Sequence, residues 1–150
     1  MGHMTTKGEA RGLVRVDLVE YHQTGPERER VASLMDMVPP GLRHVLDIGA
    51  RDGYITRLLT DRVETVSALD LRQPQINHPR IICLQGDATA LEFPDRSFDL
   101  VFCAEVLEHI PPPALERACA ELARVSARHV LVGVPYRQDT RVGRTTCGRC

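Results

Sequence analysis

Short apolar runs that end near a carboxylate recur along this chain, and they constrain its fold more than any other feature. The first run, His44–Ile48, carries Asp47 near its end and passes into a glycine-bearing turn. A helix is predicted after that turn, from Gly53 to about Asp61. Strand, loop and helix in this order are typical of a parallel sheet with helices on both faces. The sequence therefore predicts a doubly wound α/β fold.

Four further strands are predicted after this unit. They lie at Val63–Leu69, Arg80–Leu84, Phe98–Cys103 and His129–Val134. The nine residues between Asp70 and Arg80 include two prolines, which leaves room for a parallel crossover with about one turn of helix. This is the shortest connection between neighbouring strands of the predicted sheet.

Two longer helices are predicted to cover the sheet. One opens at the capping-box pattern Thr24-Gly25-Pro26-Glu27 and ends at Pro39, and the other runs from Pro113 to Val125 with apolar residues every three or four positions. The chain is then divided into a cloning remnant (1–4), an N-terminal segment with its helix (5–41), the sheet-containing domain (42–135) and a C-terminal tail with a C-x-x-C pair (136–150).

Length, charge and cysteine content exclude several classes of protein. A chain of 150 residues matches a single domain, and its net charge of −1 provides no field that attracts nucleic acid or acidic lipid. No apolar run is long enough to cross a membrane. The five cysteines, with no secretory signal ahead of them, favour a reducing cytoplasm. We therefore expect neither nucleic acid nor a membrane as a partner.

Carboxylates cluster where the predicted strands end. Asp47, Asp70 and Asp87 each close or follow a strand, and Glu105 and Glu108 follow the fourth one. In an open parallel sheet, ligands bind beyond the carboxyl ends of the strands, where the strand order reverses. The sequence therefore predicts an acidic ligand site at this edge, although an aspartate taken singly also suits a turn or a helix start.

The loop after the first strand narrows the class of ligand. Gly49 and Gly53 are four positions apart and Arg51 stands between them, so the loop does not match the G-x-G-x-x-G pattern that binds a dinucleotide pyrophosphate. Asp70 lies 21 residues beyond Gly49, which is the separation of an acid that binds ribose hydroxyls. These features indicate a ribose-containing cofactor and disfavour a pyrophosphate.

Four segments, in order along the chain, match one known family. They are VLDIGARDG (45–53), SALDL (67–71), GDATALEFPDRSFDLVFC (86–103) and AEVLEHI (104–110). Together they resemble the class I S-adenosylmethionine-dependent methyltransferases, in particular the small-molecule branch similar to the quinone-biosynthesis enzymes. The resemblance implies a Rossmann-like, mostly parallel sheet in residues 42–135 that binds S-adenosylmethionine. It also implies methyl transfer to a small-molecule acceptor, leaving S-adenosylhomocysteine.

The resemblance also assigns roles to individual residues. Eight of them would contact the cofactor: Asp47, Gly49 and Gly53 around the methionine moiety, Asp70 at the ribose, Asp87 and Ala88 at the adenine, and Cys103 and Ala104 beside the methionine end. Residues 105–109 would line the way to the acceptor, with His109 as the candidate general base. The alternative for His109 is a helix-end histidine with a local hydrogen bond. An acidic rim suits a cofactor that carries sulfonium and ammonium charges.

Two departures from the family's pattern carry expectations of their own. Arg51 stands where the family usually has glycine, so its bulk and charge oppose a cationic cofactor. The family's sheet usually has seven strands, whereas sixteen residues follow Val134 here. The C-terminal strands are therefore expected to be missing and the fifth strand to be an edge. A continuation of the chain, a second copy forming a homodimer, or the tail would cover that edge, and we favour the continuation.

The cysteines give a separate set of expectations. Cys147 and Cys150 form half of a zinc knuckle, but two further ligands are required and none follows, so a flexible tail or an incomplete knuckle is favoured over a filled zinc site. Cys83, Cys103 and Cys119 are interpreted as small buried hydrophobes.

Two other functions stay open beside the methyltransferase. A noncatalytic module of the same fold, joined to a partner through the terminal cysteines, is favoured by Arg51 and by the short C-terminal region. A nicotinamide-dependent oxidoreductase is disfavoured by the missing second glycine and by the lack of a catalytic Tyr/Lys or His/Asp pair.

Overall fold

In the computed structural model, which describes residues 18–135, five strands form one sheet in which every neighbouring pair runs parallel. The strands are β1 (His44–Ile48), β2 (Thr65–Asp70), β3 (Ile81–Gln85), β4 (Phe98–Ala104) and β5 (Ser126–Gly133). The helices are α1 (Leu18–His22), α2 (Gly25–Asp36), α3 (Tyr54–Leu59) and α4 (Pro112–Val125), and a 3-10 turn lies at Leu107–His109. The predicted α/β architecture with a parallel sheet is confirmed.

The strand order is β3-β2-β1-β4-β5, so the chain builds outward from β1 in one direction and then crosses back to build in the other. The order therefore reverses between β1 and β4. Ile48 at the end of β1 lies beside Leu69 of β2 and Cys103 of β4, which brings the carboxyl ends of three strands to one level. This is the position at which open α/β sheets bind their ligands.

Alternate residues of the central strands supply two separate cores, because successive side chains of a strand point to opposite faces of a sheet. One face holds Val45, Val66, Leu100 and Phe102, covered by α2 and α3. The other holds Leu46, Leu69, Val101 and Cys103, covered by α4. Burial on both faces is what a parallel sheet requires.

The crossover between β2 and β3 contains no helix and ends in a hydrogen-bonded turn at Pro79 and Arg80, within the limit of about one helical turn that its length set. Ile76 takes the place of a helix there: its side chain is 8% exposed and packs into the core beside α3. The two prolines suit this extended course, because proline disfavours a helical conformation of the residue before it.

Three smaller expectations are wrong. Thr24 occupies the N-cap of α2 without a side-chain capping hydrogen bond, so the capping box does not form. β5 begins at Ser126 rather than His129, because α4 passes into it without a loop. Cys119 is exposed and Cys83 is partly exposed, which leaves Cys103 as the buried thiol among the three.

Some expectations concern residues that the structure does not describe. Cys147 and Cys150, the cloning remnant and the course of the tail after Pro135 lie outside the described residues. Between residues 18 and 135, no helix has the length and apolar character needed to span a membrane.

Candidate functional site

A cavity of about 320 Å³ opens at the carboxyl ends of β1, β2 and β4. Five of the predicted site residues line it: Gly49, Asp70, Asp87, Ala88 and His109. Glu105 and Arg51 complete its polar wall. A second, more open hollow of about 550 Å³ adjoins it and shares Arg51 and Asp70. The first volume alone is at the lower end of the range of small-molecule sites, which is about 300–1,000 Å³.

The loop after β1 is shaped by two glycines in left-handed conformations. Gly49 has φ +81°, and a Cβ at this position would overlap Cγ2 of Val106. Gly53 has φ +78°, and a Cβ there would overlap the side chain of Ile76. Both glycines therefore serve close packing with the protein's own side chains, and Gly53 lies away from the cavity wall.

Asp70 lies at the end of β2 and joins the loop to the sheet. Its Oδ2 accepts a hydrogen bond of 3.0 Å from the backbone N–H of Arg51, which itself has φ +46°. No other hydrogen bond to this carboxylate is found among the described residues, so its second oxygen is available to a ligand. The sequence assigned ribose hydroxyls to this acid, and its place on the cavity wall is consistent with that role.

Asp87 holds the turn after β3 and lines the cavity. Its Oδ1 accepts hydrogen bonds from the backbone N–H and the hydroxyl of Thr89, both at 2.8 Å. The carboxylate thus holds the turn after β3, as a turn aspartate does. The same turn places Ala88, which is 7% exposed, in the cavity wall.

Asp47 does not reach the cavity, and the expected acidic rim is wrong in this respect. Its side chain is 3% exposed and accepts a hydrogen bond of 2.5 Å from the Thr56 hydroxyl. Burial raises the pKa of Asp47 to about 7, the Thr56 bond opposes that shift, and the charge of Asp70 adds to it. Asp47 therefore lies in the core beneath the glycine loop.

The two residues expected beside the methionine end are also set back from the wall. Cys103 is fully buried, and burial raises the pKa of its thiol to about 12, so the thiolate does not form near neutral pH. Ala104 is the last residue of β4 and packs against the α2-side core. The cavity wall begins one residue later, at Glu105.

Glu105 lies on the cavity wall with an uncommon backbone conformation and one buried carboxylate oxygen. It has φ +58°, and its Oε1 is buried without a hydrogen-bond partner in the described part of the chain. Burial raises the pKa of Glu105, the Arg30 guanidinium lowers it, and Glu108 raises it again. Oε1 lies 3.6 Å from Nη1 of Arg30, and the side chain as a whole is 33% exposed, so a ligand in the cavity would meet the other carboxylate oxygen.

His109 lines the cavity from the 3-10 turn. Its side chain is 70% exposed, and Nε2 lies 3.9 Å from Oε1 of Glu108. The ring is thus accessible to a molecule that enters from solvent.

The remaining wall is apolar, and part of it escaped the sequence analysis. Leu71, Val106 and Ile110 line the cavity, and Leu71 is 68% exposed. The position of Leu71 directly after the strand-end Asp70 is the signal that would have identified it as a wall residue. A large apolar side chain at a solvated strand end indicates a ligand-binding surface.

The charges around the cavity fit a cationic ligand that also has an apolar part. Three carboxylates, those of Asp70, Asp87 and Glu105, oppose the one guanidinium of Arg51 on this wall. The partly exposed carboxylate of Glu105 is suited to a positively charged donor. Within residues 18–135, no group of three or more metal-ligating side chains is present. The residues therefore fit a cofactor such as S-adenosylmethionine.

Comparison with known proteins agrees with this fit. Residues 46–131 match the family model described as "Methyltransferase domain". A ubiquinone biosynthesis O-methyltransferase of Stutzerimonas stutzeri is 32% identical over 55% of this chain and 40% of its own length. A malonyl-[acyl-carrier protein] O-methyltransferase of Halorhodospira halophila is 37% identical over 66% of this chain and 36% of its own length. The chain thus spans less than half the length of these two relatives.

Solved structures share the fold. The N-methyltransferase NodS of Bradyrhizobium japonicum, in complex with S-adenosylhomocysteine, matches 76% of this chain and 63% of its own with a TM-score of 0.66 and 20% identity. An S-adenosylmethionine-dependent methyltransferase of Mesorhizobium loti matches 64% of this chain and 48% of its own with a TM-score of 0.54 and 22% identity. Since the family model covers more than half of the sequence, this chain belongs to the methyltransferase domain family, with the class I S-adenosylmethionine-dependent fold.

Proposed function

We propose that this chain carries the cofactor site of an S-adenosylmethionine-dependent methyltransferase that acts on a small-molecule acceptor. The observation that carries the proposal is the cavity at the reversal of strand order, with Asp70, Asp87 and Glu105 on its wall. This arrangement suits a ligand with a ribose, an aromatic base and a positively charged end.

Each wall segment has a distinct task in holding the cofactor. Asp70 accepts hydrogen bonds from the ribose hydroxyls through the oxygen that Arg51 leaves available. The turn of Asp87 and Ala88 recognises the adenine edge, and Leu71 packs on its face. Glu105 accepts hydrogen bonds from the methionine end.

The chemistry requires little beyond alignment. S-adenosylmethionine, when bound, supplies an electrophilic methyl carbon on a sulfonium. The protein contributes by holding the acceptor atom in line with that carbon, and proximity and orientation of this kind supply most of the rate. His109 removes the acceptor proton where the acceptor is a hydroxyl, because its ring is exposed on the cavity wall.

An oxygen atom is the acceptor that we favour. Both curated relatives carry O-methyltransferase in their names, one for ubiquinone biosynthesis and one for malonyl-[acyl-carrier protein]. Assays with a phenolic acceptor and with a carboxylic acid acceptor, each followed by S-adenosylhomocysteine release, distinguish these two oxygen classes. His109→Asn is expected to slow transfer to the phenol more than to the carboxylate, because a carboxylate has no proton to lose.

Binding separates the methyltransferase from the other two functions. We expect S-adenosylhomocysteine to stabilise the fold and NADH to leave it unchanged, since the loop carries no pyrophosphate pattern. At a hundredfold excess over its dissociation constant a ligand adds about 2.7 kcal/mol, which is several degrees of melting temperature at this size. Calorimetry with S-adenosylhomocysteine, NADH and buffer is the test. Binding of NADH alone would indicate an oxidoreductase, and binding of neither would indicate a noncatalytic module.

Two further expectations belong to this proposal. The free thiols of Cys83, Cys103 and Cys119 favour a cytoplasmic location.

β5 forms an edge of the sheet within the described residues, with Val130 and Val132 about 44% and 43% exposed, and this edge is suited to pairing in a homodimer. Light scattering at rising protein concentration tests the second expectation.

A further inference from the structure

A chain of polar side-chain contacts connects α1 and α2 to the loop after β1 and to Glu105 on the cavity wall. At one end, Nε2 of His22 lies 2.9 Å from Oδ2 of Asp52 in the loop after β1. At the other end, Nη1 of Arg30 lies 3.6 Å from Oε1 of Glu105. Glu27 lies between them, 3.7 Å from Nδ1 of His22 and in direct contact with Arg30. Helix α2 thus places a charged side chain, Arg30, beside a site whose other polar residues follow the strands.

The guanidinium of Arg30 is held in a fixed plane by Glu27. Nε of Arg30 donates to Oε2 of Glu27 at 2.8 Å, and Nη2 donates to Oε1 at 2.7 Å. Glu27 is only 4% exposed, so this two-fold contact is shielded from water. Bidentate pairs of this kind fix orientation as well as charge. The third nitrogen, Nη1, is the one that faces Glu105.

Glu105 lies close to Arg30 but forms no hydrogen bond with it. The 3.6 Å separation exceeds the length of a hydrogen bond, so Arg30 acts on Glu105 as a nearby charge. The Glu105 side chain is 33% exposed, and no hydrogen bond to its second oxygen, Oε2, is found among the described residues, so Oε2 keeps its capacity to accept a hydrogen bond from the cavity. The left-handed backbone of Glu105, φ +58°, is uncommon for a residue with a side chain and is typical of functional sites.

We propose that Arg30 is a positioning residue of the cofactor site: it holds the Glu105 carboxylate in place on the cavity wall, where that carboxylate accepts a hydrogen bond from the ammonium group of the methionine end. The inference rests on the proposed function and goes beyond it by giving a residue of α2 a role in recognising the cofactor. The groups that face Glu105 are Glu27, Glu108, His109 and Arg30, and Arg30 is the permanently positive one among them.

A pair of ligands tests where Arg30 acts. S-adenosylhomocysteine has the amino-acid end, whereas 5′-methylthioadenosine has the adenosine part without it. Arg30→Met is expected to weaken binding of S-adenosylhomocysteine at least tenfold in calorimetry, because a charge-assisted hydrogen bond is lost, and to leave 5′-methylthioadenosine within twofold. Arg30→Lys is expected to recover part of the loss, since it restores the charge without the fork.

The matched control is Arg28→Met. Arg28 is exposed on the same helix and lines no cavity, so its replacement removes the same charge from α2 at a different place. We expect its affinity for both ligands to equal that of the wild type.

The pH dependence of binding gives a second readout. Burial, Glu108 and Glu27 raise the pKa of Glu105, and Arg30 lowers it, so Arg30→Met raises the pKa of this carboxyl further. The loss of S-adenosylhomocysteine affinity in the variant is therefore expected to be larger at pH 6 than at pH 8. His109 is common to both proteins, so the difference from the wild type reports on Glu105.

Two further variants keep the test decisive if Arg30→Met folds poorly. Removing Arg30 leaves the Glu27 carboxylate buried and unneutralised by it, which is destabilising. Glu27→Gln/Arg30→Met removes both charges and is expected to show the same selective loss. In a Glu105→Gln background, Arg30→Met is expected to change S-adenosylhomocysteine affinity by less than twofold, because its effect passes through Glu105.

The opposing outcomes are distinct. A folded Arg30 variant with wild-type affinity for S-adenosylhomocysteine, or one that loses both ligands equally, overturns the positioning role and leaves the proposed function standing. A wild-type protein that binds neither ligand overturns the proposed function and this inference with it.

Discussion

The backbone N–H of Arg51 donates a 3.0 Å hydrogen bond to the carboxylate of Asp70, and this bond joins the loop after β1 to the end of β2 at the cavity. One oxygen of Asp70 thereby holds the loop in place, while the other accepts no hydrogen bond from the described residues. The carboxylate thus has a structural role beside the cofactor-binding role that we propose for it, and replacing it separates the two by measurement.

Asp70→Ala is expected to weaken S-adenosylhomocysteine binding at least tenfold, because hydrogen bonds to a charged acceptor contribute about 1.5–3 kcal/mol each. Isothermal calorimetry measures this change, and circular dichroism reports whether the fold is retained. Asp61→Ala, at an exposed aspartate outside the cavity, is the control. Unchanged affinity in a natively folded Asp70→Ala protein would place the cofactor elsewhere.

Gly49→Ala is expected to destabilise the fold by about 2–4 kcal/mol, from a left-handed backbone that carries a side chain and from overlap with Val106. Urea unfolding measures the loss. Gly25→Ala is the control, since a Cβ at Gly25 meets nothing within 4 Å, and it is expected to be neutral or slightly stabilising. Adding Val106→Ala to Gly49→Ala should recover the steric part and leave the backbone part. If the double variant is no more stable than Gly49→Ala, the overlap is not the cause.

Arg51→Gly is expected to raise the free energy of unfolding by up to about 1 kcal/mol, because it relieves a left-handed conformation at φ +46°. It also removes the one guanidinium on the cavity wall, so S-adenosylmethionine should bind more tightly. Arg96→Gly is the matched control: Arg96 has φ +56° and lies away from the cavity, so a similar gain in stability should come without a change in affinity. Weaker cofactor binding by Arg51→Gly would mean that Arg51 helps to hold the cofactor.

Asp47→Asn is expected to gain stability relative to the wild type as pH rises from about 4 to 7. The lower limit is the usual pKa of aspartate, and the upper limit is the pKa of about 7 to which burial raises Asp47. A folded-state pKa above the unfolded value contributes stability that is complete below the unfolded pKa and is lost as pH rises through the folded one. The difference should level off above pH 7 at up to about 4 kcal/mol. Chemical denaturation across this range measures it, with Asp61→Asn as the exposed control. A difference that does not vary with pH would show that Asp47 is ionised throughout.

Local patterns predicted the sheet with little error. β1 has the predicted bounds, His44–Ile48, because an apolar run of strand length between polar neighbours has one favourable placement in a buried sheet. The strand-end positions of Asp70 and Asp87 put them on the cavity wall, since the carboxyl ends of parallel strands meet at one edge.

Other residues changed roles because of partners distant in the chain. Glu27 was expected to cap α2, but its carboxylate binds Arg30 and lies near His22. Asp47 was expected at the rim, but Thr56 and the surrounding core hold it below the loop. In both cases the burial of a carboxylate is compensated by a specific donor, which the local pattern does not reveal.

The sequence by itself determined the five parallel strands, the glycine-bearing loop and the strand-end acids, because periodicity and strand length depend on residues close together in the chain. Only the tertiary structure decided which acids line the cavity, that Ile76 replaces a crossover helix, and that Arg30 approaches Glu105. Seventy-five residues separate that last pair in the sequence. Contacts over such a distance depend on how α2 packs on the sheet, and burial then fixes which charges remain close enough to act on one another.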